Sequence, residues 1–302
     1  EQMPVHEDSE NAISFIEKST AAGKPFFINV WLHEPHTPFH TVPKYRWRFR
    51  DLEETDNIYA SVLSHADDRV GEILDALDRL KLSDNTLVIF SSDNGPARAS
   101  RPAKLELQHD TATGAGFGIA AAKGITGGRK GYKASLFEGG IGVPFLARWP
   151  GKIPAGKIDS KSQISAVDLL PTFCEIANVN LPEDYVADGI SQTKSLMGNG
   201  TAMRNKPLFW KTQAAWPPRK GSPNHWVSWA IADQQWKLVT NGNMSHYELY
   251  DIEADFKEEQ DLASENPQIT MRLLQQLKQW QATLPKHPTG NVFSKERKVK
   301  SN

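Results

Sequence analysis

The sequence predicts an α/β fold, with a mainly parallel sheet flanked by helices and a smaller C-terminal subdomain made of an antiparallel sheet plus a helix. Two observations predict this class. Short apolar runs alternate with a long amphipathic helix over roughly the first 200 residues, and aromatic-rich runs separated by turn residues follow. We therefore expect residues 1–204 to belong to one α/β domain and residues 205–302 to form the subdomain, ending in a helix and a tail.

The first part of the chain has the order strand, long helix, strand. Residues 26–32 and 86–90 are nearly unbroken apolar runs bounded by turn residues, as expected for strands covered on both faces. Between them, apolar residues recur at helical spacing from Ile58 to Leu80, which predicts a helix over residues 56–80. This order predicts a crossover unit of a parallel sheet.

Shorter elements flank that unit. Ser9 is a candidate N-cap for a helix over residues 9–20. The apolar run at 143–149 predicts a further strand, and residues 168–177 predict a helix with Pro171 in its first turn.

The C-terminal part has a different pattern. A helix over residues 267–284 is predicted by apolar residues on one face, and the last dozen or so residues are expected to be a mobile tail. Many tryptophans fall in this part, and we expect them to pack in the subdomain rather than to stack on sugars. The predicted antiparallel strands are 208–212, 226–232, 236–240 and 246–250, and the tryptophans are Trp210, Trp216, Trp226, Trp229, Trp236 and Trp280.

Composition excludes several classes of protein. The chain has 302 residues, is 39% hydrophobic and 24% charged, and has a net charge of -1, so it indicates a globular protein without a surface for nucleic acid. No apolar run reaches the length of about 20 residues that a membrane span requires. The single cysteine, Cys174, excludes a disulfide framework and is expected to be a buried structural thiol.

Polar clusters follow two of the predicted strands, where α/β sheets bind ligands. Asp93 and Asn94 offer hard oxygen ligands suited to Ca²⁺ or Mg²⁺, although Asp-Asn-Gly is also a common turn. Three histidines lie between His33 and His40, and one of them can protonate a leaving oxygen or bind an anionic one; the alternative is a surface turn with solvated histidines.

A Gly-rich basic segment at residues 127–133 precedes a second Gly pair. A lysine there can act as a point charge on a tetrahedral anion, and a solvated basic loop is an equal alternative. We expect residues 96–128 to form a mobile loop bordering the site.

Together these segments resemble the sulfatase family of the alkaline-phosphatase superfamily, over nearly the whole chain. The resemblance implies an alkaline-phosphatase-like fold, one Ca²⁺ held by Asp93 and Asn94, catalytic contacts from His36 and Lys133 to the sulfate, and a substrate contact from His33. The segments that carry it are Lys24-Pro25-Phe26-Phe27, Pro35-His36-Thr37-Pro38-Phe39, Ser92-Asp93-Asn94-Gly95, Lys133 through Phe137-Glu138-Gly139-Gly140-Ile141 to Val143-Pro144, Ala166-Val167-Asp168-Leu169-Leu170-Pro171-Thr172 and Glu248-Leu249-Tyr250-Asp251.

The family's nucleophile is a formylglycine made from a Cys/Ser-x-Pro-x-Arg motif, which this sequence lacks. Cys174 is followed by Glu175 and Ile176 and does not match it. The family's early Asp pair for the metal is also missing, so we expect these parts to lie in a missing N-terminal half of the domain. The isolated chain is then expected to hydrolyse no sulfate ester and to be poorly soluble, since its apolar sheet edges would be open.

The resemblance further implies a sulfated carbohydrate as substrate and export to the periplasm or outside the cell. Two alternatives stay open. One is a hydrolase of phosphate mono- or diesters in the same superfamily, which would need two metals. The other is a non-catalytic relative that binds glycans. The residues favour no particular sulfated compound and no oligomeric state.

Overall fold

The computed structural model describes residues 4–97, 105–110, 114–212 and 226–285. Its chain divides into two compact units. The predicted boundary after residue 204 lies close to the last switch between them, while two earlier segments also belong to the second unit. Unit 1 comprises Glu1–Gly128, Gly142–Ser160 and Thr193–Thr201, and unit 2 comprises Arg129–Ile141, Lys161–Gln192 and Ala202–Asn302.

The first three helices of unit 1 are α1 (Pro4–Ala21), α2 (Pro43–Arg48) and α3 (Glu54–Arg79). The helix predicted over 56–80 is confirmed, because α3 buries its apolar stripe, with Ile58 and Val62 fully inaccessible. Ser9 lies inside α1 and is buried, so its predicted role as the N-cap was wrong.

The strands of unit 1 form two antiparallel pairs. Strand β1 (Val88–Ser91) pairs with β4 (Phe145–Arg148), and β2 (Leu107–Asp110) pairs with β3 (Gly114–Phe117). The strands predicted over 86–90 and 143–149 are thus confirmed. The β2–β3 hairpin lies in the region 96–128 that we expected to be a loop; residues 98–104 and 111–113 of that region are outside the described residues.

Residues 26–32 form no strand, so the prediction of a strand there was wrong. The predicted parallel crossover is accordingly not formed among the described residues: β1 pairs with β4 instead, and antiparallel. A strand exists only where a neighbour accepts its hydrogen bonds, and an apolar run does not supply that neighbour. Phe27 and Trp31 of this run are 71% and 81% exposed.

Unit 2 is built on a four-stranded antiparallel sheet of β5 (Leu208–Lys211), β6 (Trp229–Asp233), β7 (Trp236–Thr240) and β8 (Tyr247–Asp251), in that order. It is followed by α7 (Pro267–Thr283). These elements confirm the strands and the helix predicted for this part. Trp216 and the predicted tail lie outside the described residues. The short helices are α4 (Glu138–Ile141) and α5 (Leu169–Ile176) in unit 2 and α6 (Thr193–Leu196) in unit 1, with 3-10 turns at Ser83–Asn85, Ile119–Ala121 and Ala166–Asp168.

Both faces of the unit 2 sheet are covered. Because side chains alternate along a strand, Ile231 and Leu238 face α7, while Ala230, Val239 and Tyr250 face the opposite way. The first set packs with Leu273, Leu274 and Leu277 of α7, and the second with Leu136 and Phe137.

The tryptophans take part in this packing, as predicted. Trp280 of α7 stacks on Phe209 at a centroid distance of 4.9 Å and meets Trp229 edge to face at 6.2 Å. Trp236 also packs against the α7 side of the sheet, and Trp210 and Trp226 pack against the other side. Each of these five rings therefore contributes to the core of unit 2.

A buried ion pair fixes the segment that precedes α5. Asp168 accepts hydrogen bonds from Arg204 at 2.6 Å, from the Ser165 amide at 2.8 Å and from the Ile190 amide at 2.9 Å. These bonds compensate the burial of both charges, whose side chains are almost inaccessible. Cys174 of α5 is half-buried rather than buried as predicted. Among the described helices, none is long and apolar enough to cross a membrane.

Candidate functional site

The histidine segment of unit 1 (residues 33–40) follows the apolar run 26–32 and is held by the β2–β3 hairpin. Phe39 exchanges two backbone hydrogen bonds with Phe117, of 2.8 and 2.9 Å, and its ring packs against Tyr59 at 5.8 Å. Gly116 lies beneath this contact, and a Cβ there would come within 2.8 Å of the Phe39 carbonyl oxygen. The hairpin therefore holds the backbone of the segment that carries the histidines.

His33 and His36 lie side by side in this segment, with ring centroids 5.9 Å apart. His36 is exposed and His33 is half-buried. The His36 Nδ1–H donates to the Thr37 carbonyl oxygen at 2.7 Å, because a carbonyl only accepts. In this arrangement Nε2 is the His36 nitrogen that accepts or delivers a proton toward solvent.

Glu34 was not predicted from the sequence, and it has the most unusual environment in the segment. Its side chain is buried, and both carboxyl oxygens lack a hydrogen-bond partner. Burial raises the pKa of Glu34 to about 7, and the nearby charge of Asp8 acts in the same direction. Asp8 in turn interacts with the charge of His33. A carboxyl that holds its proton near neutral pH therefore lies next to His33 in the sequence.

Asp93 and Asn94 follow β1 directly, as predicted. The turn is fixed by hydroxyl groups: Ser91 Oγ donates to the Pro144 carbonyl oxygen at 2.9 Å, and Ser92 Oγ donates to the Asn94 carbonyl oxygen at 3.1 Å. Asn94 Nδ2 donates to the Gly95 carbonyl oxygen at 3.0 Å, which leaves Oδ1 as the amide atom that can ligate a cation. Asp93 is exposed.

These oxygens suit Ca²⁺ in kind, because Ca²⁺ prefers carboxylate and amide oxygens. They supply a fraction of the shell, since Ca²⁺ takes about six to eight oxygens. In the part of the chain that the structure describes, no group of three or more His, Cys, Asp or Glu side chains is arranged to hold a metal. Asp93 and Asn94 therefore fit one side of a calcium site.

Lys133 lies in unit 2, in a segment that we call the lysine loop (residues 129–141). Its side chain is exposed, and the next residue, Ala134, has φ 70°, a left-handed conformation that is strained for a residue with a Cβ. The turn closes through the Ser135 amide, which donates to the Tyr132 carbonyl oxygen at 2.9 Å. A left-handed residue with a Cβ persists where the surrounding structure favours it, and Ala134 directly follows Lys133.

Two glycines let this loop close on itself. A Cβ on Gly139 would lie 2.4 Å from the Gly131 carbonyl oxygen, and one on Gly140 would lie 2.2 Å from that of Ser135. Neither position accepts a side chain without moving backbone. The Gly pair that the sequence places after Lys133 is thus required by packing.

The structure groups the predicted residues by unit. His33, His36, Asp93 and Asn94 belong to unit 1, and Lys133 belongs to unit 2. Only the two histidines are shown in contact with one another, and Asp93 and Asn94 are consecutive. The roles of all five residues stay predictions.

The family of the chain follows from its sequence profile matches. The sulfatase profile matches residues 7–179, and the profile of the N-sulphoglucosamine sulphohydrolase C-terminal region matches residues 130–283. The chain therefore belongs to the sulfatase family, and its fold is of the alkaline-phosphatase-like class, as predicted.

Curated relatives are sulfatases with several substrates in their names. The N-acetylgalactosamine-6-O-sulfatase of Bacteroides thetaiotaomicron is 28% identical over 251 residues, covering 83% of this chain and 46% of that protein. Arylsulfatase G of Mus musculus is 33% identical over 201 residues, covering 67% of this chain and 35% of that protein. The chain thus spans half or less of the length of these relatives.

Solved structures are also similar to this chain in fold. The crystal structure of Ps i-CgsB in complex with k-i-k-neocarrahexaose has a TM-score of 0.74 and 26% identity, covering 91% of this chain and 54% of that one. A structure concerned with glycosaminoglycan metabolism by Bacteroides thetaiotaomicron has a TM-score of 0.69 and 25% identity, covering 91% and 53%.

Proposed function

We propose that this chain forms part of a calcium- and formylglycine-dependent sulfuric ester hydrolase that acts on sulfated carbohydrate. The observation that carries the proposal is the match of the sulfatase profile to residues 7–179, which include the histidine segment, Asp93, Asn94 and the lysine loop. The names of the relatives support a sulfated glycan as the substrate class. Export from the cytoplasm is proposed with it, from the family alone.

In this proposal, each candidate residue acts on the charge of the sulfate ester. Lys133 would bind an anionic sulfate oxygen as a point charge, and its strained, fixed backbone limits the reorganisation that binding requires. His36 would deliver a proton from Nε2 to the leaving alcohol oxygen, since its Nδ1–H is occupied by Thr37. His33 would contact the substrate beside it.

Asp93 and Asn94 would hold the calcium ion through a carboxylate and the amide Oδ1. A bound calcium ion neutralises negative charge as it develops in the reaction. The nucleophile is proposed to come from sequence outside these 302 residues, because no Cys/Ser-x-Pro-x-Arg motif occurs within them.

Exposed apolar side chains in unit 1 support the need for further chain. Phe90 of β1 and Leu146 of β4 are 50% and 58% exposed, and they pair with one another in the ladder. Trp31 is 81% exposed. A large exposed apolar surface is typical of an interface, and we propose that the remainder of the sulfatase domain covers it.

The test is sulfate release from sulfated oligosaccharides and from a chromogenic aryl sulfate by the protein that combines this chain with its upstream sequence. Hydrolysis is expected, with loss on chelation and recovery on adding Ca²⁺. His36→Ala and Lys133→Ala are each expected to lower kcat/KM by about a hundredfold or more. Lys123→Ala, an exposed cation paired with Asp56, is the control.

Two results would contradict the proposal. Release of phosphate from phosphate esters, with about two zinc ions per protein, would favour the phosphoesterase alternative. Binding of a sulfated glycan without turnover would favour a non-catalytic relative.

A further inference from the structure

The lysine loop is held by three sets of contacts within unit 2. Leu136 and Phe137 insert their side chains into the sheet face made by Ala230, Val239 and Tyr250. Phe137 is fully buried and meets Tyr250 edge to face at 6.2 Å. This apolar contact holds the loop against the sheet. It restrains the orientation of the loop little, because dispersion and the hydrophobic effect are not directional.

An ion triad of Lys237, Glu138 and Glu258 restrains the orientation of the loop. Lys237 of β7 is completely inaccessible, and its Nζ donates to Glu138 Oε1 at 2.7 Å and lies 2.9 Å from Glu258 Oε1. The second oxygen of Glu258 accepts the Glu138 backbone N–H at 2.6 Å. Glu258 thus binds the backbone of the loop directly, and Lys237 binds its side chain.

A second polar cluster holds the other end of the loop. Lys130 Nζ donates to Tyr250 Oη at 2.8 Å and to Glu248 Oε2 at 3.2 Å, and it lies 4.3 Å from the Phe137 ring centroid. The Tyr250 hydroxyl in turn donates to Glu248. The Lys130 carbonyl oxygen accepts the Gly139 N–H at 2.7 Å, which joins the two ends.

The result is a loop fixed at both ends with Lys133 at its exposed turn. Lys237 and Glu258 are fully buried and Glu138 is partly buried beside them. Burying such charges is costly, and apolar residues of similar size often replace buried ion pairs in other proteins without loss of stability. Glu138, the triad member within the loop, directly precedes the Gly139-Gly140 pair, and Ala134, with its left-handed backbone, directly follows Lys133. The polar contacts therefore act on the backbone that sets the direction of Lys133.

We propose that Lys237 and Glu258 are positioning residues for Lys133, acting through Glu138. The proposal rests on the proposed function, in which Lys133 contacts the sulfate. Neither residue touches the substrate; both keep the lysine loop in the conformation from which Lys133 reaches it.

The test is a double-mutant cycle on sulfate-ester hydrolysis by the protein that combines this chain with its upstream sequence. Lys237→Met and Glu258→Gln are each expected to lower kcat/KM by about tenfold or more, because a small displacement of a binding group has a large effect on rate. In a Lys133→Ala background, the same changes are expected to lower kcat/KM by less than about twofold, because the group they position is gone.

Glu258→Gln keeps an oxygen for the Glu138 amide, so it reports on positioning if Lys237→Met does not fold. Hydrogen exchange of the 302-residue chain gives a second readout: faster exchange is expected in peptides from residues 130–141, with α7 unchanged. Lys211→Met, the same substitution at an exposed residue of β5, is the control and is expected to alter neither readout.

Equal effects with and without Lys133 would overturn the proposal, because they would show that the triad contributes stability alone. A Lys133→Ala variant with unchanged kcat/KM would overturn both the proposed role of Lys133 and this inference. That outcome is distinguishable from the first, since the background itself would be fully active.

Discussion

The β1–β4 sheet of unit 1 and the four-stranded sheet of unit 2 differ in how completely their apolar side chains are buried. In unit 2, Leu238 and Leu249 are inaccessible, because α7 covers one face of the sheet and the lysine loop covers the other. In unit 1, Phe90 and Leu146 are at least half exposed on the two-stranded sheet of β1 and β4. Unit 2 therefore contains its own core around the proposed lysine site, whereas the sheet next to the proposed calcium ligands leaves apolar side chains exposed to solvent.

The largest expected effect is on the buried triad of unit 2. Lys237→Met leaves two carboxylates without their cation and is expected to lower the free energy of unfolding by about 3–5 kcal/mol. Arg272→Met breaks the partly exposed pair with Asp233 and is expected to cost about 1 kcal/mol or less. Urea unfolding followed by tryptophan fluorescence measures both. Equal costs would show that the triad is as weak as a surface pair.

The next largest expected effect is the difference in the free energy of unfolding between one leucine variant from each of these sheets. Leu238→Ala in β7 removes a fully buried side chain and is expected to cost about 2–5 kcal/mol. Leu146→Ala in β4 removes a side chain that is 58% exposed and is expected to cost about 1 kcal/mol or less. The measurement is the urea midpoint of each variant. A large cost at Leu146 would show that unit 1 already buries this face.

Glu34 predicts a pH dependence in unit 1. Its carboxyl has an ordinary pKa of 4.5 and a pKa of about 7 when folded, so between these values the folded protein binds more protons than the unfolded protein. Stability is therefore expected to fall as pH rises from 4.5 to 7, by on the order of 1–2 kcal/mol after allowing for solvent screening. Burial also raises the pKa of Asp8, so the comparison is made against a variant.

Glu34→Gln is expected to remove that slope and to stabilise unit 1 more at pH 8 than at pH 5. Glu10→Gln on the exposed side of α1 is the matched control and is expected to keep the slope. Hydrogen exchange in peptides from α3 at several pH values follows unit 1 alone. A slope that persists in Glu34→Gln would assign it to another group.

The smallest effect on stability is expected at Trp31. Trp31→Ser is expected to alter the free energy of unfolding by about 0.5 kcal/mol or less, because the side chain is 81% exposed. Solubility is expected to rise, since the variant removes exposed aromatic surface. Light scattering against protein concentration measures it. Unchanged scattering would show that this surface does not cause association.

Local patterns predicted unit 2 well. Apolar alternation and turn residues predicted all four strands and α7, because antiparallel neighbours are consecutive in sequence, and short connections join β6 to β7 and β7 to β8. Residues 26–32 show the limit of that reasoning: their apolar run resembles a buried strand, but strand formation depends on a partner elsewhere. Ser9 shows another, since a helix boundary depends on residues before the candidate cap.

The candidate site residues divide in the same way, into those that local sequence motifs indicate and those that only the folded structure reveals. Asp93, Asn94, His36 and Lys133 were proposed from the sequence because they stand in short motifs, and their roles stay predictions. Glu34 was missed, because its significance is its burial, which one sequence does not display. The triad was missed as well, because Glu138, Lys237 and Glu258 are far apart in the chain and meet only when the sheet of unit 2 folds.

The most direct test of the account is the release of aryl alcohol from a chromogenic aryl sulfate by the purified 302-residue chain with Ca²⁺, beside the same chain joined to its upstream sequence. We expect no release above buffer from the 302 residues and release from the joined protein, which Lys133→Ala slows by about a hundredfold or more. Turnover by the 302-residue chain alone would contradict it, because the nucleophile would then lie within these residues.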